Sequence, residues 1–293
     1  MPVPKLDLVS ELATVQASLT SLHCSPDGAW VVCGSLSTEI FFVKTDGSLK
    51  VESIPNRGIV VSWSPDGKYI ASAIDERLVI SDATSGKMLH RYECHREAVL
   101  GLAFSSRGDR FASCGKNELF LHATGDPTTR TMQTPGSAIN RRVKFLWDDA
   151  LLMMVNSAGK ISFWDNDSGA MVEERDAHEG EIRCLAVSPD GRKAATCGLD
   201  KKVKVWAVGD LSLREPLSVY TLPMAFESVD FCSCGSRILC GGYESVTQID
   251  LTTGDRSIRN IEGTRSSFLV QKLPDGQHFV TAGSDCVIRL WKL

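Results

Sequence analysis

The sequence predicts an all-β chain built from seven similar units of four short strands each. Three observations carry that prediction. First, a turn tetrapeptide recurs along the whole chain. It reads Ser25-Pro-Asp-Gly28, Ser64-Pro-Asp-Gly67, Ser105-Ser-Arg-Gly108, a degraded Leu146-Trp-Asp-Asp149, Ser188-Pro-Asp-Gly191, Cys232-Ser-Cys-Gly235 and Leu273-Pro-Asp-Gly276, with successive starts 39 to 44 residues apart. Second, proline in the second place and glycine in the fourth favour a type I turn, so the chain doubles back there. Third, short alternating apolar runs flank each turn, as in Ile182 to Val187. Four short strands repeated at this period point to a radial array of blades, a β-propeller.

The unit at residues 178 to 206 is the most complete, and the others read as eroded copies of it. His178, Thr196, Asp200 and Trp206 in this unit match, in type, order and spacing, the polar motif of the WD-repeat family, which the chain resembles throughout its length. The resemblance implies a hydrogen-bonded chain in which the aspartate holds the histidine, and a hydroxyl links the histidine to the indole. The residue types suit that arrangement: a carboxylate only accepts, an indole only donates, and imidazole and hydroxyl do both.

The first unit begins near residue 19, after an N-terminal piece, residues 1 to 18, that has no repeat of its own. Further units begin near 57, 97, 138, 178, 224 and 264, so 1–293 reads as a single propeller. The second unit keeps Ser72, Asp75 and Asp82, with Ser81 in the tryptophan place. In the third, His95 and Ser113 are kept, Asn117 replaces the aspartate and His122 stands for tryptophan, which makes its network doubtful. The fourth ends in Phe163-Trp164-Asp165 but has Met154 and Ala158 in the hydroxyl and carboxylate places. The sixth is weakest, with Cys240, Glu244 and Asp250. The seventh regains Thr281, Asp285 and Trp291 but has Gly263 for histidine, and it stops after three strands. The N-terminal piece is expected to supply its fourth strand, closing the ring and leaving no unpaired inner edge.

Composition narrows the function. Of 293 residues 43% are hydrophobic and the net charge is −4, which describes a chain with a sizeable core and disfavours nonspecific nucleic-acid or membrane-surface binding. Asp7 and Glu11 interrupt any signal-peptide core, and no apolar run is long enough to span a membrane. Ten cysteines include Cys33, Cys114, Cys197 and Cys240 at equivalent places in four units, the pattern of small buried residues in a reduced, intracellular protein, cytoplasmic or nuclear. Cys232-Ser-Cys234 lacks the spacing of a zinc site, and no phosphate loop, nucleophile elbow or metalloprotease motif is present. No enzyme activity, cofactor, metal or small-molecule substrate is therefore expected.

What remains is recognition. The resemblance implies that partners bind at the narrow end of the channel, through residues starting the innermost strand and the residue before each aspartate turn. Carried onto this sequence, those positions include Arg57, Ile59, Leu100, Lys116 and Arg141. Continuing round the ring they include Arg183, Leu199, Glu227, Tyr243 and Phe268. The arginines suit carboxylates or phosphate, and Tyr243 and Phe268 suit apolar anchors; alternatively the arginines pair with Glu181 and Glu227. Two functions follow: a monomeric scaffold subunit holding protein partners in a hetero-complex, or a reader of acidic, phosphorylated or modified peptide tails, such as a ubiquitin-ligase substrate receptor or a chromatin adaptor.

Overall fold

The alternating runs fold as seven antiparallel four-stranded sheets in the computed structural model, which describes residues 6–37, 39–47, 49–52, 59–126, 128–134, 137–211, 214–261 and 266–293. Blade one comprises Leu19–Cys24, Trp30–Ser35, Ile40–Lys44 and Leu49–Glu52. Blade two comprises Val60–Trp63, Tyr69–Ile74, Arg77–Asp82 and Met88–Tyr92, and blade three Val99–Phe104, Arg110–Gly115, Glu118–Ala123 and Thr129–Gln133. Blade four follows with Asn140–Leu146, Leu151–Asn156, Lys160–Asp165 and Met171–Asp176; blade five has Ile182–Val187, Lys193–Gly198, Lys202–Ala207 and Ser218–Thr221. Blade six is Phe226–Phe231, Arg237–Gly242, Ser245–Asp250 and Arg256–Asn260.

Blade seven joins the two ends of the chain. Its strands Phe268–Lys272, His278–Gly283 and Val287–Lys292 are completed by Asp7–Thr14, which pairs antiparallel with the C-terminal strand from Asp7↔Lys292 to Thr14↔Val287. Leu12 and Val15 then pack with Val31, Cys33 and Phe41 of blade one and with Val280 and Ile288 of blade seven. The junction is thus sealed by apolar burial as well as by a strand ladder.

The core lies between blades, because each twisted sheet has two apolar faces and only a neighbour can cover them. Blades three and four share Ala112, Cys114, Leu121, Val143, Leu152 and Trp164; blades five and six share Ala195, Val205, Tyr220, Val229, Phe231 and Ile249. The second strands are the most deeply buried, and Cys33, Cys114, Cys197 and Cys240 are fully enclosed there with free thiols. Burial raises all four thiol pKa values, that of Cys114 to about 12, so they act as small apolar side chains.

Six of the turn tetrapeptides close through a bond from the fourth N–H to the first carbonyl, as from Gly28 to Ser25 at 3.0 Å, while in the degraded turn the Ala150 N–H donates to the Trp147 carbonyl at 3.0 Å instead. The fourth residue is left-handed, which suits the glycines; in the degraded turn Trp147, Asp148 and Asp149 are all left-handed, at φ 52°, 50° and 69°. That strained turn is held from both sides. Asp149 accepts the Ser106 N–H at 2.8 Å and its hydroxyl at 2.7 Å in blade three, while the Trp147 indole donates to the Val208 carbonyl in blade five. Loss of the consensus residues is therefore compensated by contacts with the neighbouring blades.

Candidate functional site

The end of the channel singled out by sequence is built by a repeated irregularity. In blades one, three, four, five and six the inner strand carries a register shift at its second residue, which places Thr20, Leu100, Arg141, Arg183 and Glu227 outside the ladder. A bulge of this kind turns the side chain of the extra residue away from its neighbours. Glycine closes the facing strand where the backbones meet: a Cβ on Gly115 would lie 2.4 Å from the Ala98 carbonyl, and one on Gly198 equally close to that of Glu181. The Leu199 N–H donates to the Glu181 carbonyl at 2.9 Å, so the residue before the aspartate turn sits beside the bulge.

These residues form a ladder of alternating charge across three blades. Arg141 pairs with Glu181, Arg183 reaches Glu181 at 3.2 Å and Glu227 at 3.7 Å, and farther round the rim Lys116 pairs with Glu97 at 3.2 Å. The expected run of cations is therefore met by carboxylates from the same chain, the alternative noted for these arginines. Leu199 and Tyr243 are exposed, at 44% and 43%, while Ile59 and Leu100 are half-buried. Phe268 corrects the sequence reading. It is fully enclosed among Leu6, Leu239, Phe279 and Trp291, under the Arg289 guanidinium, because the inner strand of blade seven carries no register shift to turn it outward. It offers no surface to a partner. Arg57 lies outside the described residues.

The polar motif forms a continuous network in blade five. The Trp206 indole donates to Thr196 Oγ1 at 2.9 Å, the Thr196 hydroxyl lies 2.7 Å from His178 Nε2, and His178 Nδ1 lies 2.9 Å from Asp200. A carboxylate can only accept, so Nδ1 carries the proton, Nε2 accepts from the hydroxyl, and the hydroxyl oxygen is left for the indole. Burial lowers the pKa of His178 despite the Asp200 carboxylate, in keeping with a neutral ring.

Blade three has an equivalent network made from different residues. Ser113 Oγ lies 2.6 Å from His95 Nε2 and 2.7 Å from His122 Nε2, and His95 Nδ1 lies 2.9 Å from Glu118. His122 takes the place of the indole, with Nε2 donating and Nδ1 accepting from Thr129 at 3.0 Å. Glu118 replaces aspartate because the turn is one residue shorter, Lys116–Asn117 against Leu199–Asp200–Lys201, and the longer side chain restores the reach. Asn117 is therefore not the residue that faces His95; the acid one place later in the sequence, Glu118, is the signal of this network.

The remaining blades diverge. In blade seven Trp291 donates to Thr281 at 2.9 Å, but Asp285 binds Arg289 rather than a histidine; the histidine position, Gly263, lies outside the described residues. Arg289 also donates to Glu11 of the closing strand at 3.2 Å. In blade four Trp164 donates to Ser162 at 2.9 Å while Met154 packs in the core. In blade two the Ser72 and Ser81 hydroxyls are buried without partners. Cys94, His95 and His122 bring potential metal-binding atoms within 4.8 Å of one another, but both nitrogens of each imidazole are already hydrogen-bonded, so a metal would have to break the network.

Comparison with known sequences matches the family described as WD domain, G-beta repeat to residues 9–51, 86–120, 169–207 and 256–292. The chain belongs to this WD-repeat family. It is similar to Protein hir1 of Schizosaccharomyces pombe, 26% identical over 69% of this chain and 21% of that protein. It is likewise similar to Actin-interacting protein 1 of Drosophila melanogaster, 23% identical over 91% and 46%, and to Eukaryotic translation initiation factor 3 subunit I of Scheffersomyces stipitis, 26% identical over 48% and 41%. The chain spans less than half the length of each of these three relatives. Propellers of this family generally act as interaction scaffolds without chemistry of their own. Among the described residues no helix is long and apolar enough to cross a membrane.

The WD-repeat channel carries a second feature that sequence reasoning passed over. Side chains near the end of one inner strand bind the inner strand of the next blade: Ser21 accepts the Val61 N–H at 3.0 Å, His23 Nδ1 the Trp63 N–H at 3.3 Å, Ser228 the Val270 N–H at 3.2 Å and Asp230 the Lys272 N–H at 2.9 Å. The partners are 40 to 42 residues apart, one repeat, and this spacing of polar residues was the available signal.

Proposed function

We propose that this propeller is a non-catalytic scaffold that holds a protein partner at the end of the channel bearing Leu199 and Tyr243. The observation that carries this reading is the pair of exposed apolar side chains set on adjacent blades beside the Arg141–Glu181–Arg183–Glu227 ladder. Such a surface suits a segment with one or two apolar anchors and mixed polar groups, since buried anchors contribute most of the binding energy and paired rim charges mainly set orientation. An acidic or phosphorylated tail is less well matched, because it would have to displace Glu181 and Glu227 from the arginines. Among the similar proteins, one is named for interacting with actin and another as a subunit of a translation initiation factor, which agrees with service inside an assembly.

The test is cross-linking of the purified complex from source cells, read against Leu199→Glu/Tyr243→Glu. The double variant is expected to melt like the wild type and to lose the partner whose cross-links map to blades five and six. Retention of that partner removes this surface from consideration. Glu181→Gln/Glu227→Gln separates the two readings: a gain in phosphopeptide binding would favour the tail reader, whereas the scaffold reading expects none.

A further inference from the structure

The axial channel encloses a cavity of about 270 Å3 whose wall takes residues from the inner strand of every blade. At ~30 Å3 per water it has room for about nine waters, enough for a compact ion and part of its hydration shell. A second cavity shares His23, Lys144, Gln271 and Lys272 with it and runs out between the turns at Pro26, Pro65 and Pro274, giving a path to solvent.

Cations dominate the wall. Arg142, Lys144 and Lys272 line it, against Asp230 and Glu227, and Glu227 is already drawn toward Arg183 on the rim. Arg142 is fixed in place by two bonds from one nitrogen, to the Leu100 carbonyl at 2.7 Å and the Arg141 carbonyl at 2.8 Å, while its other guanidinium nitrogens make no hydrogen bond among the described residues. The Lys144 ammonium makes no direct hydrogen bond or ion pair among the described residues, although the charge of the Asp230 carboxylate favours its protonated form. The carboxylate that could answer it is partly committed: Asp230 accepts the Phe231 N–H at 2.8 Å and the Lys272 N–H at 2.9 Å. Burial lowers the pKa of Lys144 and raises that of Asp230, as expected for charges held short of water. His23 lines the same cavity, and its pKa is lowered by burial first and by the Lys144 charge second.

We infer that the channel is an oxyanion site in which Arg142, Lys144 and Lys272 together hold a phosphate group, either inorganic phosphate or the terminal group of a small phosphate monoester. Three cationic side chains lining one cavity with low-dielectric walls concentrate an anion of this kind, and a guanidinium with free N–H groups adds directional bonds. The cavity is too small for a folded segment, and although Glu227 borders both sites, the cationic set Arg142, Lys144 and Lys272 is not part of the partner surface.

The test is thermal unfolding of the whole chain at pH 7.5 and constant ionic strength, with chloride replaced stepwise by inorganic phosphate. The wild type is expected to show a melting temperature that climbs with the logarithm of phosphate concentration, as selective binding to the native state requires. The double variant Lys144→Met/Lys272→Met is expected to lose that climb, and Lys68→Met, an exposed loop lysine, to keep it. Lys144→Gln/Lys272→Gln serves as a second, more polar pair. A wild type no more stabilised by phosphate than by matched chloride overturns the inference, as does a climb that survives in both double variants. If inorganic phosphate binds, competition by ribose 5-phosphate measures whether a monoester is also accepted.

Discussion

Thr196 and Ser72 hold equivalent places in two blades and show how far one hydroxyl's value depends on its neighbours. Thr196 Oγ1 links an indole to an imidazole, so Thr196→Val strands the Trp206 N–H and His178 Nε2 in the core and is expected to cost about 1–3 kcal/mol. Ser72 Oγ is buried with no partner, so Ser72→Ala removes an uncompensated polar group and is expected to be neutral or to stabilise by up to about 1 kcal/mol. Urea unfolding midpoints of the two variants check both signs. Equal losses would show that the network in blade five adds nothing beyond ordinary packing. The same dependence on context governs Phe268, whose place in the repeat suggested an exposed anchor but whose strand, lacking the bulge, turns it inward.

At the scale of the blade, turn length decides which polar set can form. A two-residue connection at Lys116–Asn117 moves the useful acid to Glu118, and an imidazole, His122, replaces the indole. That exchange brings a titratable group into the core. His122 has its pKa lowered to about 3, mainly by burial and then by His95, and His23 is lowered to about 4. Unfolded histidines take up a proton near 6.5, so between that value and the folded one the unfolded chain binds more protons, and stability falls as pH drops below about 6.5. The fall attributable to His122 approaches about 1.4 kcal/mol per pH unit. His122→Gln is expected to be less stable at pH 7 but to lose stability less steeply between pH 6.5 and 4.5. A slope identical to the wild type would show that His122 does not titrate in this window.

The whole ring depends on its seam. Every other blade is formed from contiguous chain, whereas blade seven needs Asp7–Thr14 to pair with Val287–Lys292, and Arg289 ties the two by binding Glu11 and Asp285 together. Because blades are stable only through their neighbours, an open seam exposes two apolar blade faces at once. Deleting residues 1–14 is expected to replace a single cooperative calorimetric transition with a broad, low-temperature one and to reduce solubility. A truncated chain that melts sharply at the wild-type temperature would show that the seam is not needed for cooperativity.

Much of this was decided by local sequence. The turn tetrapeptides and alternating runs determined the number of blades, the place of each strand and the buried cysteines, because period and turn chemistry act over a few residues. The complete motif in blade five was legible for the same reason: its donors and acceptors match one another by type. Only the tertiary structure decided that Glu118 and His122 rebuild the network in blade three, that Glu181 and Glu227 meet the rim arginines, that Phe268 is enclosed, and that Lys144 and Lys272 line one cavity. Those outcomes depend on bulges, on side-chain reach across a blade, as from His95 to Glu118, and on packing of one blade against the next, as from Arg141 to Glu181, none of which the local pattern of a single strand contains.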